Sequence, residues 1–439
     1  MDRAAAFDRT GLIPSPGMSW RFYGAALPAA VIVLAALSAY SVQLRFGIGS
    51  AGIAGQVMWA FYITNFVFWT GIGHAGILIS AGLRLLEVEW RRPLTRCAEA
   101  LTVISFLIGA VFPLVHLGRP ERFYLLIPWP NQRGLQPNFH SPLFWDFLGI
   151  NVFLIVGVMF LWVGLLPDIA LLRDSAHGMR RRIYGALAFG CSATGSNRGL
   201  KTAIRALSLA AIPLSIGVET VVSFIFSSTL NPVWGSAYLA PYFLVGALLS
   251  ASAALILLLA VLRRSLGLES YLTCIHFDRL SRFLLGLSVV WAWLNFVDGY
   301  LAWRRREPAE FAILMSKIDG RFALLFYAMF LLCFVIPWLL LGIRRMRTPV
   351  SAAVAACAVL IGVWIERYLL IVPTLATPRL SFVRGSYSPT WVEIAITAGT
   401  VGGFVLLFCF FAKLFPVISI WETIPGHDEI ARVDKVGEK

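Results

Sequence analysis

The sequence predicts an all-α integral membrane protein of about ten transmembrane helices, arranged as two four-helix bundles (spans 2–5 and 6–9) plus flanking helices. Three observations predict it. Of 439 residues, 59% are hydrophobic and only 14% charged, with a mean hydropathy of +0.78. Soluble domains are typically about 45–50% apolar and about 25% charged. The apolar residues also fall into runs near the roughly 20 residues that a spanning helix needs. Lipid offers no partner to backbone polar groups, so such runs fold as helices.

The spans are expected at 24–44, 57–82, 98–117, 143–167, 203–227, 239–262, 280–300, 321–342, 350–373 and 391–416. Residues 1–20 are polar and carry Pro14 and Pro16. The first apolar run starts too late for the core of a cleavable signal, so the first helix is expected to stay as an anchor. Arg91, Arg92 and Pro93 are expected to end the second span. Ser141 and Pro142 provide an N-cap and a first helical residue for the fourth, and Ser388-Pro389 repeat that pair before the tenth. The resulting division is 1–23, a cytoplasmic N-terminal segment; 24–54, the first helix and its connection; 55–230, the first bundle, bearing the site; 231–374, the second bundle; and 375–439, the last helix and a cytoplasmic tail. Spans 2–5 and 6–9 read as a weak internal repeat, each with an Arg- and Cys-bearing link after its first span.

Orientation follows the positive residues. Arg84, Arg91, Arg92 and Arg96 follow span two, Arg173, Arg180, Arg181, Arg182, Arg198 and Lys201 follow span four, and Arg263-Arg264 and Arg344, Arg345 and Arg347 follow spans six and eight. Arg304-Arg305-Arg306 runs against the trend. On balance both termini are placed in the cytoplasm of a bacterial inner membrane, and the loop from His116 to Asp146 faces outward. The net charge of +14 is then that of arginine anchors facing anionic lipid rather than of a nucleic-acid surface. The six cysteines are scattered, without Cys-x-x-Cys spacing, and no iron–sulfur cluster is expected within the chain. Most are expected to be small core residues.

Ionisable residues inside a bilayer are costly, so each is a candidate for function. They are His74, His116, Asp146, Glu219, Asp298, Glu366, Arg367 and Glu393, and all but His74 and Glu219 fall towards the outward face. A quinol site needs a polar grip on each oxygen and a base for each proton. A histidine and a partly buried carboxylate supply both. His116 and Asp146 are the candidate pair, with Phe112, Phe123, Tyr124, Trp129, Phe144 and Trp145 as an aromatic slot and Trp129-Pro130-Asn131 at the loop centre. The plainer alternative is a helix-end His and a first-turn Asp that satisfy loop backbone. Glu366-Arg367 reads as a self-neutralising pair, or Arg367 as a grip on a quinone oxygen. Asp298 and Glu393 read equally as interface residues reaching to water. His74 and Glu219 lie deeper and read either as a proton route or as a buried acid bonded to a neighbouring helix. His74 and His116 are not matched in depth, so intrinsic haem is not expected.

Several segments resemble the membrane subunits of the polysulfide reductase (NrfD-like) family: Asn65 to Gly76, Glu89-Trp90-Arg91-Arg92-Pro93, His116-Leu117-Gly118-Arg119-Pro120, Ser141 to Asp146, Trp364 to Tyr368 and Tyr387 to Trp391. The likeness spans nearly all of residues 55–420 and is nearest to the quinol-site subunit of alternative complex III. It implies ten helices in two four-helix bundles and quinol (menaquinone or ubiquinone) as substrate, with no haem or iron–sulfur cluster in this chain. It also implies an iron–sulfur partner subunit that takes the electrons, and room for a second homologous membrane subunit. By motif match His116 and Asp146 are its quinol residues, with Arg367, Trp145 and Phe144 nearby. His74, Glu219, Asp298 and Glu366 are polar members of the site or of a proton route. Where the complex III subunit tends to carry His-Thr-Val-Val-Ser-Phe-Asp-Phe, this chain has Glu219 in place of the His and Ile225 in place of the Asp. That leaves proton movement along this helix to Glu219 alone. Two rival functions remain open at this level: a proton-coupled secondary transporter, and a structural anchor with a decayed site.

Overall fold

The computed structural model describes residues 12–14, 20–52, 57–127, 139–191, 198–229, 231–236, 238–377 and 387–423. Ten helices among the described residues are long and apolar enough to cross a membrane. In chain order the helices are α1 (Trp20–Phe46), α2 (Ala60–Leu85), α3 (Thr95–His116), α4 (Pro142–Ser175), α5 (Gly178–Leu187), α6 (Arg198–Ser227), α7 (Leu239–Ser265), α8 (Cys274–Arg305), α9 (Pro308–Ile318), α10 (Ala323–Leu341), α11 (Pro349–Ala376), α12 (Trp391–Leu414) and the single turn α13 (Ile420–Thr423). Helices α2, α3, α4 and α6 pack as one four-helix bundle, and α7, α8, α10 and α11 as a second. Helix α2 lies against α7 and α11 and joins the two, while α1 and α12 pair with each other alongside.

In lipid no hydrophobic force drives helix against helix, so close packing and internal hydrogen bonds must do so. The α1–α12 pair closes at Gly399, where an added Cβ would lie 2.1 Å from the Ala36 Cβ. Helix α12 is tied to α2 by Asn65 Nδ2 donating to Thr397 Oγ1 (2.7 Å) and Trp69 Nε1 to Thr400 Oγ1 (2.9 Å). Trp364 Nε1 of α11 donates to Asn65 Oδ1 (2.9 Å), so one asparagine fastens three helices.

The element ends refine the expected spans. Helices α4 and α8 run well past the expected 143–167 and 280–300, and α5 and α9 are short helices that hydropathy does not reveal. The second span stops at Leu85, before Pro93, and Glu87 takes a left-handed φ of 52°. Ser141 holds the N-cap of α4 with Pro142 following it, but its hydroxyl makes no capping bond. The cap of α12 is Thr390 rather than Ser388. It forms a capping box with Glu393, whose side chain also accepts from Tyr387 Oη at 2.7 Å. Glu393 is therefore a fully buried member of the capping box, not a residue reaching to water. Of the cysteines only Cys97 and Cys333 are core residues; Cys274 and Cys357 are exposed on the outside of the helices.

Buried charges also occur outside the expected set, at Arg84, Arg96, Glu99 and Asp168. At the arginine-rich face a layer of ion pairs closes the first bundle. Arg84 binds Glu99 (2.8 Å) and Glu422 (2.6 Å), and Arg91 also binds Glu422 (2.6 Å). Arg96 binds Asp168 at 3.1 Å, both fully buried, and Asp168 accepts from the backbone N–H of Ile420 and Trp421. The segment after α12 is thus strapped back beneath the bundle. Burial alone would raise the Glu422 carboxyl, but the Arg84 and Arg91 guanidiniums hold it below its ordinary 4.5. A depressed pKa means stability that is present above the unfolded value and lost as pH falls through the folded one. Below pH about 4.5 the melting temperature of the purified protein is expected to drop more steeply than that of Glu422→Gln. Equal acid sensitivity of the two proteins in thermal melts would refute this role.

Candidate functional site

Opposite the arginine-rich face, α3 ends at His116 and α4 begins at Pro142. His116 is half-buried, and its Nδ1 is a buried atom with no hydrogen-bond partner among the described residues. Its ring lies 5.5 Å from that of Trp59. Trp59, the N-cap of α2, sits at φ 56° and ψ 18°, a left-handed conformation rare for a bulky residue. Such strain costs on the order of 1–3 kcal/mol, must be held by the surroundings, and clusters at functional sites. A polar frame stands next to it: Gln43 of α1 donates to the Val115 carbonyl at 2.8 Å and accepts from the Tyr62 hydroxyl of α2. Gln43 and Tyr62 are buried, and no sequence motif marks them.

Asp146 is partly buried in the first turns of α4, and among the described residues its carboxylate forms no hydrogen bond or ion pair. Phe139, Phe144 and Trp145 pack beside it with ring centroids 5.6 and 5.7 Å apart. Trp145 Nε1 donates to the Phe139 carbonyl (2.9 Å), while the indole stays 45% exposed. Phe123 and Tyr124, on a short helical segment after α3, are also exposed, and Phe112 is buried against Tyr62. Trp129, Pro130 and Asn131 lie outside the described residues. His116 and Asp146 thus stand on adjoining helices at one face, each with unspent hydrogen-bonding capacity. Among the described residues no hydrogen bond, ion pair or ring contact joins them.

Deeper in the first bundle, His74 Nδ1 of α2 meets Glu219 Oε1 of α6 at 2.8 Å, with both residues buried. Phe106 and Phe153 enclose the imidazole edge-on at 4.9 and 4.3 Å, and among the described residues its Nε2 has no hydrogen-bond partner. The stripe on α6 continues through Ser208, Ser215 and Ser223, all buried. Each hydroxyl is donated to the carbonyl four residues earlier, and Ser223 caps that of Glu219 itself at 2.9 Å.

Asp298, Glu366 and Arg367 belong to the second bundle. Asp298 accepts from the Tyr238 hydroxyl. It lines a cavity of about 50 Å³ together with Tyr242, Asn295, Glu310, Lys317 and Glu366, with room for water. Burial pushes the Lys317 ammonium below its ordinary range, against the pull of Asp298 and Glu366. Glu366 pairs with Arg367 Nε at 3.5 Å, and among the described residues neither of its oxygens has a hydrogen-bond partner. The Arg367 guanidinium crosses to α7, where Nη2 donates to the Phe243 carbonyl (3.3 Å) over the Phe243 ring (4.9 Å). It passes Gly246 so closely that a Cβ there would sit 2.3 Å from Nη2, so position 246 admits only glycine while Arg367 keeps this path. Among the described residues Arg367 has no hydrogen bond or ion pair to His116 or Asp146.

The profile of the family described as polysulphide reductase, NrfD, matches residues 49–379. The chain is 25% identical over 400 residues to a putative dimethyl sulfoxide reductase membrane subunit of Halobacterium salinarum, covering 85% of this chain and 86% of that one. It is 21% identical over 408 residues to a selenate reductase subunit of Mesobacillus selenatarsenatis, covering 89% and 92%.

Proposed function

This chain belongs to the polysulphide reductase (NrfD) family, and on that premise we propose that it is the quinol-binding membrane subunit of a multi-subunit oxidoreductase. The observation that carries the proposal is the pair of unspent groups at one membrane face, His116 Nδ1 and the Asp146 carboxylate, beside a strained tryptophan and an aromatic cluster. A quinol hydroxyl donates to such an acceptor and releases its proton to it as the electrons leave. The apolar, aromatic surroundings of Phe144 and Trp145 suit the ring. Electrons pass to an iron–sulfur partner in the same complex. The arginine-rich face is cytoplasmic in this reading, with both termini there, and the site opens outward from a bacterial inner membrane.

The buried His74–Glu219 pair supports a second element, a proton-exchanging couple within the first bundle. The cavity at Asp298 and Glu366 is its counterpart in the second. Glu219 takes the place of the histidine found in alternative complex III subunits, so this chain is assigned to a related complex rather than to that one. The partner-dependence of the function gives its test. Quinol-driven reduction of an artificial acceptor is expected from the complex purified with its partners and not from the isolated chain. Turnover by the isolated chain would sink the proposal, and substrate uptake by it in vesicles would favour a transporter.

A further inference from the structure

Helix α1 packs chiefly against α12, and the residues it buries are Ala26, Ala29, Ala39 and Gln43. A buried amide in a spanning helix is costly unless its hydrogen bonds are met. Gln43 meets them on two other helices. Its Nε2 donates to the Val115 carbonyl of α3 at 2.8 Å, and its Oε1 accepts from the Tyr62 hydroxyl of α2. Chemistry fixes the order of this chain. A carbonyl only accepts, so the amide nitrogen must face Val115, and the amide oxygen is left for the phenol proton. Gln43 lies ahead of residues 49–379, which the family profile matches, so its role is argued from the geometry alone.

The bond to Val115 lands where α3 holds itself least well. The last four carbonyls of a helix have no partner within it. Pro113, inside the final turns, brings no N–H of its own. Val115 directly precedes His116, and the backbone turns away at Gly118, with φ 74°. The first turn of α2 meets the same point from another side. Trp59 lays its ring against the His116 imidazole, and Tyr62, three residues on, packs on Phe112 with ring centroids 6.3 Å apart. His116 is thus held at its ring by Trp59 and through its backbone by the Gln43–Tyr62 chain.

We propose that Gln43 is a positioning residue for His116: it reaches from α1 to fix the last turn of α3, and with it the place of the imidazole at the quinol. The inference rests on the quinol reading of His116. Gln43 and Tyr62 touch no substrate in this role and act through the Val115 carbonyl. A misplacement of about 1 Å at a reacting group can cost about 10²-fold in rate. The rival role is polar glue between α1 and the first bundle. Glue alone predicts lost stability with His116 unmoved.

The test compares wild type, Gln43→Leu, Tyr62→Phe and Gly399→Ala, each purified as the complex with its partners. Leucine removes both bonds of Gln43. Gly399→Ala presses on Ala36 and loosens α1 from α12 about two turns from Gln43, leaving its bonds in place. One readout is turnover at saturating quinol. The other, taken without quinol, is the rate at which diethyl pyrocarbonate modifies His116, followed by peptide mass spectrometry. Gln43→Leu is expected to lower turnover about 10–100-fold. It is also expected to speed modification of His116 about threefold or more, as the freed turn opens. Tyr62→Phe keeps the bond to Val115 and is expected to move both readouts the same way by less. Gly399→Ala is expected to lower the melting temperature and leave both readouts near wild type. Modification of Gln43→Leu at the wild-type rate overturns the proposal, and so does an equal change in Gly399→Ala, which would mark the docking of α1 as the cause. Should Gln43→Leu fail to assemble, Tyr62→Phe is judged by the same outcomes. His116→Ala, assayed alongside, separates the two readings. Where it lowers turnover and Gln43→Leu does not, the positioning role is overturned. Where it turns over like wild type, the quinol reading fails, and the modification rate alone decides whether Gln43 holds the ring.

Discussion

Asp146→Asn is expected to lower quinol-driven turnover of the assembled complex by about 10²–10⁴-fold, the range a positioned general base contributes. The amide keeps the size of the side chain and its place in the first turns of α4, but it cannot take a proton. Because Asp146 makes no hydrogen bond or ion pair among the described residues, nothing structural is lost with its charge. Melting temperature and assembly are therefore expected to stay near wild type. Steady-state turnover with a soluble acceptor, set beside a thermal melt of the same preparation, separates the two effects. Turnover within a factor of a few of wild type would assign Asp146 to the loop backbone instead.

The second large effect is on stability. Asp168 and Arg96 form an ion pair with no exposed surface, and Asp168 also accepts the backbone N–H of Ile420 and Trp421. Removing one partner of such a pair leaves the other charge buried and uncompensated, at a cost of about 3–5 kcal/mol. Asp168→Ala is expected to destabilise the protein by about this much, and to expose the segment after α12 to protease. The double variant Arg96→Leu/Asp168→Leu is expected to recover much of the loss, since an apolar pair of similar volume leaves no stranded charge. Limited proteolysis and thermal melts of the three proteins decide this. A single variant as stable as wild type would mean that the layer of ion pairs does not hold the strap.

Much of the fold was legible because a bilayer allows few solutions. Each apolar run long enough to span had to be a helix, and all ten spans are found near their expected places. What hydropathy could not mark were the ends and the short helices. Helix α4 continues through Asp168 to Ser175 because Arg96 neutralises the carboxylate, and that partner lies far away in sequence. The arginines after span two looked like anchors facing lipid, yet Arg84 and Arg96 are buried, and Arg91 shares the Glu422 carboxylate with Arg84. A helix-end arginine reads the same in either case, and only the acids it meets distinguish them.

The site was legible in part for a similar reason. His116, Asp146, His74 and Glu219 stood out because ionisable groups are rare in apolar runs. Their partners did not. Nothing in the sequence joins His74 to Glu219, and the fold brings them to 2.8 Å by packing α2 against α6. The motif match placed Arg367 near the quinol residues, and it carried no sign that the side chain runs to Phe243 past Gly246 in the second bundle. Gln43 and Tyr62 are uncharged and carry no motif, so only the fold reveals the frame they build beside His116.

The measurement that tests the central claim most directly is binding of a quinol analogue to the purified complex, followed by tryptophan fluorescence. Trp145 is half exposed beside Asp146, and Trp59 packs on His116, so occupancy is expected to change the signal. Saturable binding by the wild type, weakened about tenfold or more in both His116→Ala and Asp146→Asn, is the expected result and corresponds to about 1.4 kcal/mol or more for each group. Binding of equal affinity in all three proteins would contradict it and move the quinol site away from this face of the first bundle.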